Sequence, residues 1–141
     1  MSASTPLVTQ TAAAVAAASG FIGVALFQVT LAAGAPFGRA AWGGTNPGQL
    51  PVGLRIGSAV SCGVWILAAA IVAGRAGLLT TPFSPGFLQR GTWILVAITL
   101  VGAVMNFASS SPWERFMWAP ITLALAGLCF LIARDSTALR P

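Results

Sequence analysis

The side chains able to do chemistry in this 141-residue chain are few: seven arginines, two carboxylates at Glu114 and Asp135, two cysteines, and neutral hydroxyls and amides, with no His, Lys or Tyr. A bis-histidine haem, a histidine-containing zinc site, a Schiff-base lysine and a Ser-His-Asp triad are therefore excluded within the chain. No cofactor and no metal site is expected. What remains is arginine chemistry, in which a planar guanidinium fork meets phosphate or carboxylate. Three arginines, Arg39, Arg55 and Arg115, stand near Trp42, Trp113, Trp118 and the carboxylate Glu114 once the chain is folded into helices. The amides of Gln28 and Asn106 then fall one to two turns further in, on the same side.

The elements that position these residues follow from the spacing of the charges. Charged side chains separate uncharged runs of 38, 15, 19, 14, 23 and 18 residues up to Arg134, and 57% of the chain is hydrophobic. A hydrocarbon core of about 30 Å takes roughly 20 apolar residues of helix. The four longer runs predict an all-α, polytopic membrane protein, one antiparallel four-helix domain over 1–141, with helices at about 11–33, 51–74, 89–109 and 112–133. An even count puts both termini on one face, here side X, with connection two; connections one and three lie on side Y. Residues 1–10 are polar and open without Lys or Arg, so the first segment reads as a retained helix and not a cleaved signal peptide.

Local signals refine this frame. Gly34-Ala35-Pro36 stops the first helix, and the turn-forming stretch that follows runs to Gly48. Ser111-Pro112-Trp113-Glu114 has capping-box spacing with Pro at the first helical position, so helices three and four form a tight hairpin. Pro120 removes the hydrogen bond to the Phe116 carbonyl, which predicts a kink or a widened turn. Small residues at Gly53, Gly57 and Ser61, and the Ala-rich start of helix one, offer faces for close helix contact within the bundle or between copies. Cys62 and Cys129 sit roughly 10 Å apart in depth, beyond disulfide reach. Counting arginines, side X holds Arg75, Arg90, Arg134 and Arg140 and side Y holds three, a bias toward cytoplasmic termini.

Side Y admits two main readings. In one, Arg55 or Arg115 pairs with Glu114, the acidic residue able to serve a buried guanidinium, and the tryptophans form an interfacial belt. In the other, three arginines against one glutamate leave positive charge lined by indoles and amides, a binding site made of Gln28, Arg39, Trp42, Arg55, Asn106, Trp113, Glu114, Arg115 and Trp118. Catalysis there lacks a nucleophile partner for Glu114. An amide followed by Arg-x-x-Trp occurs twice, as Gln28, Arg39, Trp42 and as Asn106, Arg115, Trp118, an echo that three positions do not lift above chance.

Gly34 through Gly44, Leu50-Pro51 with Leu54-Arg55, Arg90 through Trp93, and Asn106 through Arg115 resemble a family of small uncharacterised integral membrane proteins of GC-rich bacteria. The resemblance implies a four-helix multi-pass protein of the bacterial plasma membrane and carries no activity. The expected function is that of a non-catalytic membrane protein that binds a partner or stabilises a complex. The alternative is a small transporter or channel for an anionic or lipid-like solute; an enzyme acting on lipid is the least supported class. Expected partners are membrane lipids, an anionic headgroup or small anion, and a second copy or larger membrane complex. Nucleic acid is not among them, because the arginines sit singly at helix ends.

Overall fold

A backbone N–H or C=O in hydrocarbon has no water to bond, so a spanning segment must satisfy its own polar groups, and a lone apolar run does so as a helix. The computed structural model describes residues 4–135, with side chains from residue 8 onward. Its long elements are α1 (Ser4–Ala33), α2 (Val52–Arg75), α3 (Pro85–Ala108) and α4 (Ala119–Arg134), the last entered through a π-turn over Glu114–Trp118. Among the described residues there is no strand. Four segments, Val8–Ala33, Val52–Arg75, Pro85–Ala108 and Glu114–Arg134, are long and apolar enough to cross a membrane. Arg140 lies outside the described residues.

Helix ends are set by local chemistry. α1 and α2 both close with paired backbone bonds around a left-handed glycine: Ala35 N–H to the Thr30 carbonyl and Gly34 N–H to Leu31, then Leu78 N–H to Ala73 and Gly77 N–H to Gly74. These are Schellman closures, which satisfy carbonyls that would otherwise face the membrane unpaired. α3 starts at Pro85, earlier than position 89, because Ser84 caps it: its hydroxyl accepts the Phe87 N–H at 3.2 Å. α1 likewise reaches back to Ser4, since isolated Thr, Ser and Gln residues are tolerated where the chain already spirals.

Pro120 acts as expected. The Ala119 N–H bonds to the Glu114 carbonyl, five residues back, and a single wide turn spans Glu114–Trp118. This π-turn reorients the residues before it relative to those after it. Connection three is three residues long, since α3 ends at Ala108 and helix resumes at Pro112.

The helices pack as a ring in which α1 lies along α2, α3 along α4 and α1 across α4, whereas α2 and α3 touch least of the neighbouring pairs. Ala13, Ala14 and Ala17 are fully or almost fully buried, so the Ala-rich stripe of α1 does serve close packing within the bundle. The main core gathers Phe21, Val72, Leu95, Cys129 and Ile132 in the side X half. A second, smaller cluster of Leu31, Ala41 and Leu50 sits on side Y. Cys62 and Cys129 are free thiols. Buried Thr92 and Thr99 turn their hydroxyls back onto the Leu88 and Leu95 carbonyls at 2.8 and 2.6 Å, so no polar atom of theirs is stranded in the core.

The fold of connection one is tight at Gly38, where an added Cβ would overlap the Asn46 carbonyl and lie 2.8 Å from the Gly48 carbonyl. Gly53, in α2, has open space around it. Gly38→Ala is expected to cost about 1–3 kcal/mol through overpacking. Gly53→Ala is expected to stabilise by about 0.5–1 kcal/mol through helix propensity. Thermal unfolding in detergent, followed by circular dichroism, checks both signs.

Candidate functional site

Connection one is a lid. Its two short 3-10 turns, Gly38–Ala40 and Trp42–Gly44, lie over the side Y end of the bundle. The hairpin of α3 and α4 holds it at four points. Gly43 N–H donates to Glu114 Oε1 at 2.9 Å, and the Trp118 indole N–H donates to the Ala40 carbonyl at 2.9 Å. Ser111 Oγ donates to the Arg39 carbonyl at 2.6 Å, and Ser110 Oγ to the Gly43 carbonyl at 3.3 Å. From α2, Ser58 accepts the Trp42 indole N–H at 3.1 Å.

Glu114 is the centre of this arrangement and only 8% exposed. Its Oε2 accepts the Ser109 hydroxyl, while Ser109 Oγ itself accepts the Ser111 N–H at 3.0 Å. Ser111 Oγ accepts the Glu114 N–H at 3.3 Å, the first limb of a capping box. The second limb is relayed through Ser109 and does not return directly, which frees the other carboxylate oxygen for the lid.

The arginines do not converge on Glu114. Arg55 Nε donates to the Ala32 carbonyl at 3.0 Å and so caps the C-terminus of α1. Arg115 Nη2 donates to the Ser109 carbonyl at 2.8 Å, just past the end of α3. Each guanidinium meets the negative end of a helix, which favours a cation there. Arg39 is exposed and, with Trp113, lines an outer hollow of about 380 Å³ between the lid and connection three. The expected Arg–Glu pair is thus replaced by neutral donors on the carboxylate and backbone acceptors on the arginines.

Beneath the lid lies a cavity of about 320 Å³. Four of its walls are aromatic: Phe27, Trp42, Trp65 and Trp118. Phe27 leans against Trp118 with ring centroids 4.8 Å apart, and Trp65 stacks on Phe21 at 5.6 Å. Gln28, Asn106 and Glu114 supply its polar groups, with Ser61, Thr99 and Thr122. Asn106 Nδ2 reaches Thr122 Oγ1 at a long 3.4 Å, and Gln28 Oε1 is buried without a hydrogen-bond partner. Of the nine site residues read from the sequence, Gln28, Trp42, Asn106, Glu114 and Trp118 line this cavity, Arg39 and Trp113 line the outer hollow, and Arg55 and Arg115 line neither. The repeated motif divides evenly: both amides and both tryptophans face the cavity, and both arginines stand outside it.

Trp42 holds its place at a backbone cost. Its φ of 54° is left-handed, a region that disfavours side chains by about 1–2 kcal/mol. Gly57 makes room for the ring: an added Cβ there would lie 3.0 Å from two atoms of the indole. The small residues of α2 therefore receive the lid at Gly57 and line the cavity at Ser61, while a Cβ added at Gly53 would meet open space.

Two features escaped the sequence. Trp65, in the middle of α2, carries no mark that separates it from a lipid-facing residue. Arg75, read as a topology marker, is 3% exposed. Its guanidinium donates to Gln89 Oε1 at 2.6 Å and to the Asp135 carbonyl, and Gln89 Nε2 donates to Ala133 at 2.9 Å. This side X cluster ties α2, α3 and α4. The lone Gln89 opposite an Arg across a short connection was the available signal.

Comparison with protein-family models, with curated proteins and with solved structures finds no match for this chain. The resemblance to the bacterial membrane family rests on its residues alone.

If Glu114 holds the lid and not an arginine, Arg55→Ala and Glu114→Ala act additively on stability, with coupling below about 0.5 kcal/mol. Ser109→Ala and Glu114→Ala share one hydrogen bond and are expected to couple by about 1 kcal/mol. Double-mutant cycles on thermal unfolding measure both; coupling of that size between Arg55 and Glu114 restores the ion pair.

Proposed function

We propose that this chain is a non-catalytic protein of the bacterial plasma membrane, its termini cytoplasmic, that holds a small amphipathic, lipid-like molecule in the cavity beneath the lid. The observation that carries the reading is the open side of that cavity. Ile98 and Met105 of α3 line it and are nevertheless 43% and 67% exposed, at the seam where α3 faces α2. Contacts between α2 and α3, such as Ile71 against Gly91, Gly74 against Leu88 and Arg75 on Gln89, lie toward side X. A molecule in the bilayer thus has a lateral way in, between the two least-packed helices.

Size and lining agree with such an occupant. A cavity of about 320 Å³ falls at the lower end of small-molecule sites, which are mostly apolar with a few convergent polar groups. The buried, unpartnered Gln28 Oε1 is a hydrogen-bond acceptor waiting on a donor. The bundle below is filled by the side X core, so the cavity ends blindly and favours holding a solute over conducting one. No arginine is among its described lining residues, which favours the lipid-like half of the expected ligand range over the anionic half.

Gly102 lines the cavity and has open space at its Cβ position. Native mass spectrometry of the purified full chain is expected to show a co-purifying small molecule on the wild type and at least a tenfold lower occupancy on Gly102→Leu, with helicity unchanged. Absence of any bound molecule from both, together with no binding of added amphiphiles, removes the proposal.

A further inference from the structure

We infer that the molecule held under the lid is an organic cation, with an alkylated ammonium or similar soft positive head seated among Trp42, Trp65, Trp118 and Glu114. The inference rests on the cavity reading above and goes further by naming the charge of the occupant. Three observations carry it. The cavity holds one carboxylate, Glu114, whose two oxygens accept from a backbone N–H and a hydroxyl, both neutral. No described arginine lines the cavity, and the chain has no Lys or His, so the carboxylate there stands without a protein counter-charge on its bonds.

The aromatic walls supply the second half of the recognition. The indole N–H groups of Trp42 and Trp118 are already spent on Ser58 and the Ala40 carbonyl, so what these rings offer an occupant is carbon surface. Ring faces attract cations through their quadrupole, tryptophan most strongly, and cages of such rings are a recurring way of binding quaternary ammonium groups. The third observation is the surplus of acceptors. Gln28 Oε1 lacks a donor, so any ammonium that retains an N–H finds a further acceptor in the same cavity. An anion in this cavity would meet the Glu114 charge and ring faces of the same sign.

The same head chemistry is available from a free organic cation and from a phospholipid headgroup such as choline. The test uses the full chain in maltoside micelles, which are uncharged, and follows tryptophan fluorescence. Benzyltrimethylammonium is compared with its neutral carbon isostere 2,2-dimethylpropylbenzene and with benzenesulfonate. The expected result is saturable binding of the cation at least tenfold tighter than either comparator. Glu114→Gln should bring cation and isostere to within about threefold of each other. Because that variant can loosen the lid, Trp65→Leu, which touches no lid contact, serves as a second probe; it should weaken the cation at least tenfold and the isostere less. Short-chain phosphatidylcholine that displaces the probe, where phosphatidylglycerol does not, identifies a lipid headgroup as the source. Displacement by neither points to a free cation.

Equal affinity for cation and isostere, tighter binding of benzenesulfonate, or equal displacement by both lipids overturns the charge assignment while leaving an apolar-solute cavity standing. Binding of none of the three probes overturns the cavity reading with it.

Discussion

One carboxylate determines how side Y is built. Glu114 lies in the first turn of the last helix, yet the atom it binds, the Gly43 N–H, belongs to a loop 71 residues earlier. A buried carboxylate must be saturated with donors or it destabilises the fold that buries it. Here a relay of serines takes one oxygen and the lid takes the other. Without that requirement connection one would keep its bonds to Trp118, Ser110, Ser111 and Ser58 but lose the one that ties it to a buried charge. The π-turn at Glu114–Trp118 belongs to the same solution, because it begins at the carboxylate and ends at the indole that clamps Ala40.

Arginine is handled differently from carboxylate in this chain. Arg55, Arg75 and Arg115 each bond at least one backbone carbonyl near a helix C-terminus. In a membrane those carbonyls are the groups most in need of donors, and a guanidinium has five. The arrangement explains how Arg55 and Arg115 can sit near the bilayer with backbone carbonyls for partners. It also leaves the cavity under the lid free of positive side chains.

The bundle was legible in the sequence because its signals are long or chemically singular. Runs of about 20 apolar residues admit one spanning structure. Gly34 marked a left-handed helix stop, Ser111 to Glu114 marked a three-residue hairpin, and Pro120 marked the wide turn. Five of the nine residues singled out in the sequence line the cavity, since Trp and amides gathered toward one membrane face stand out in an apolar chain. Partner choice was not legible. Whether Arg55 would seek Glu114 or the Ala32 carbonyl depends on where backbone atoms come to rest, and backbone carbonyls look alike in sequence. Arg75 shows the same limit: its hydrogen-bond partners are a side-chain amide and the backbone at the end of α4, and a charge count registers only the nearby Asp135.

If the seam between α2 and α3 is the way into the cavity, as proposed, it also decides how occupancy is set. A site reached from the hydrocarbon is in equilibrium with the bilayer, so the governing quantity is the mole fraction of solute among the lipids. A compound dilute in water but strongly partitioned would fill it, and a soluble one of equal intrinsic affinity would not. Membrane composition then acts as a selectivity filter ahead of the protein, and any apparent affinity expressed against water carries the partition coefficient inside it.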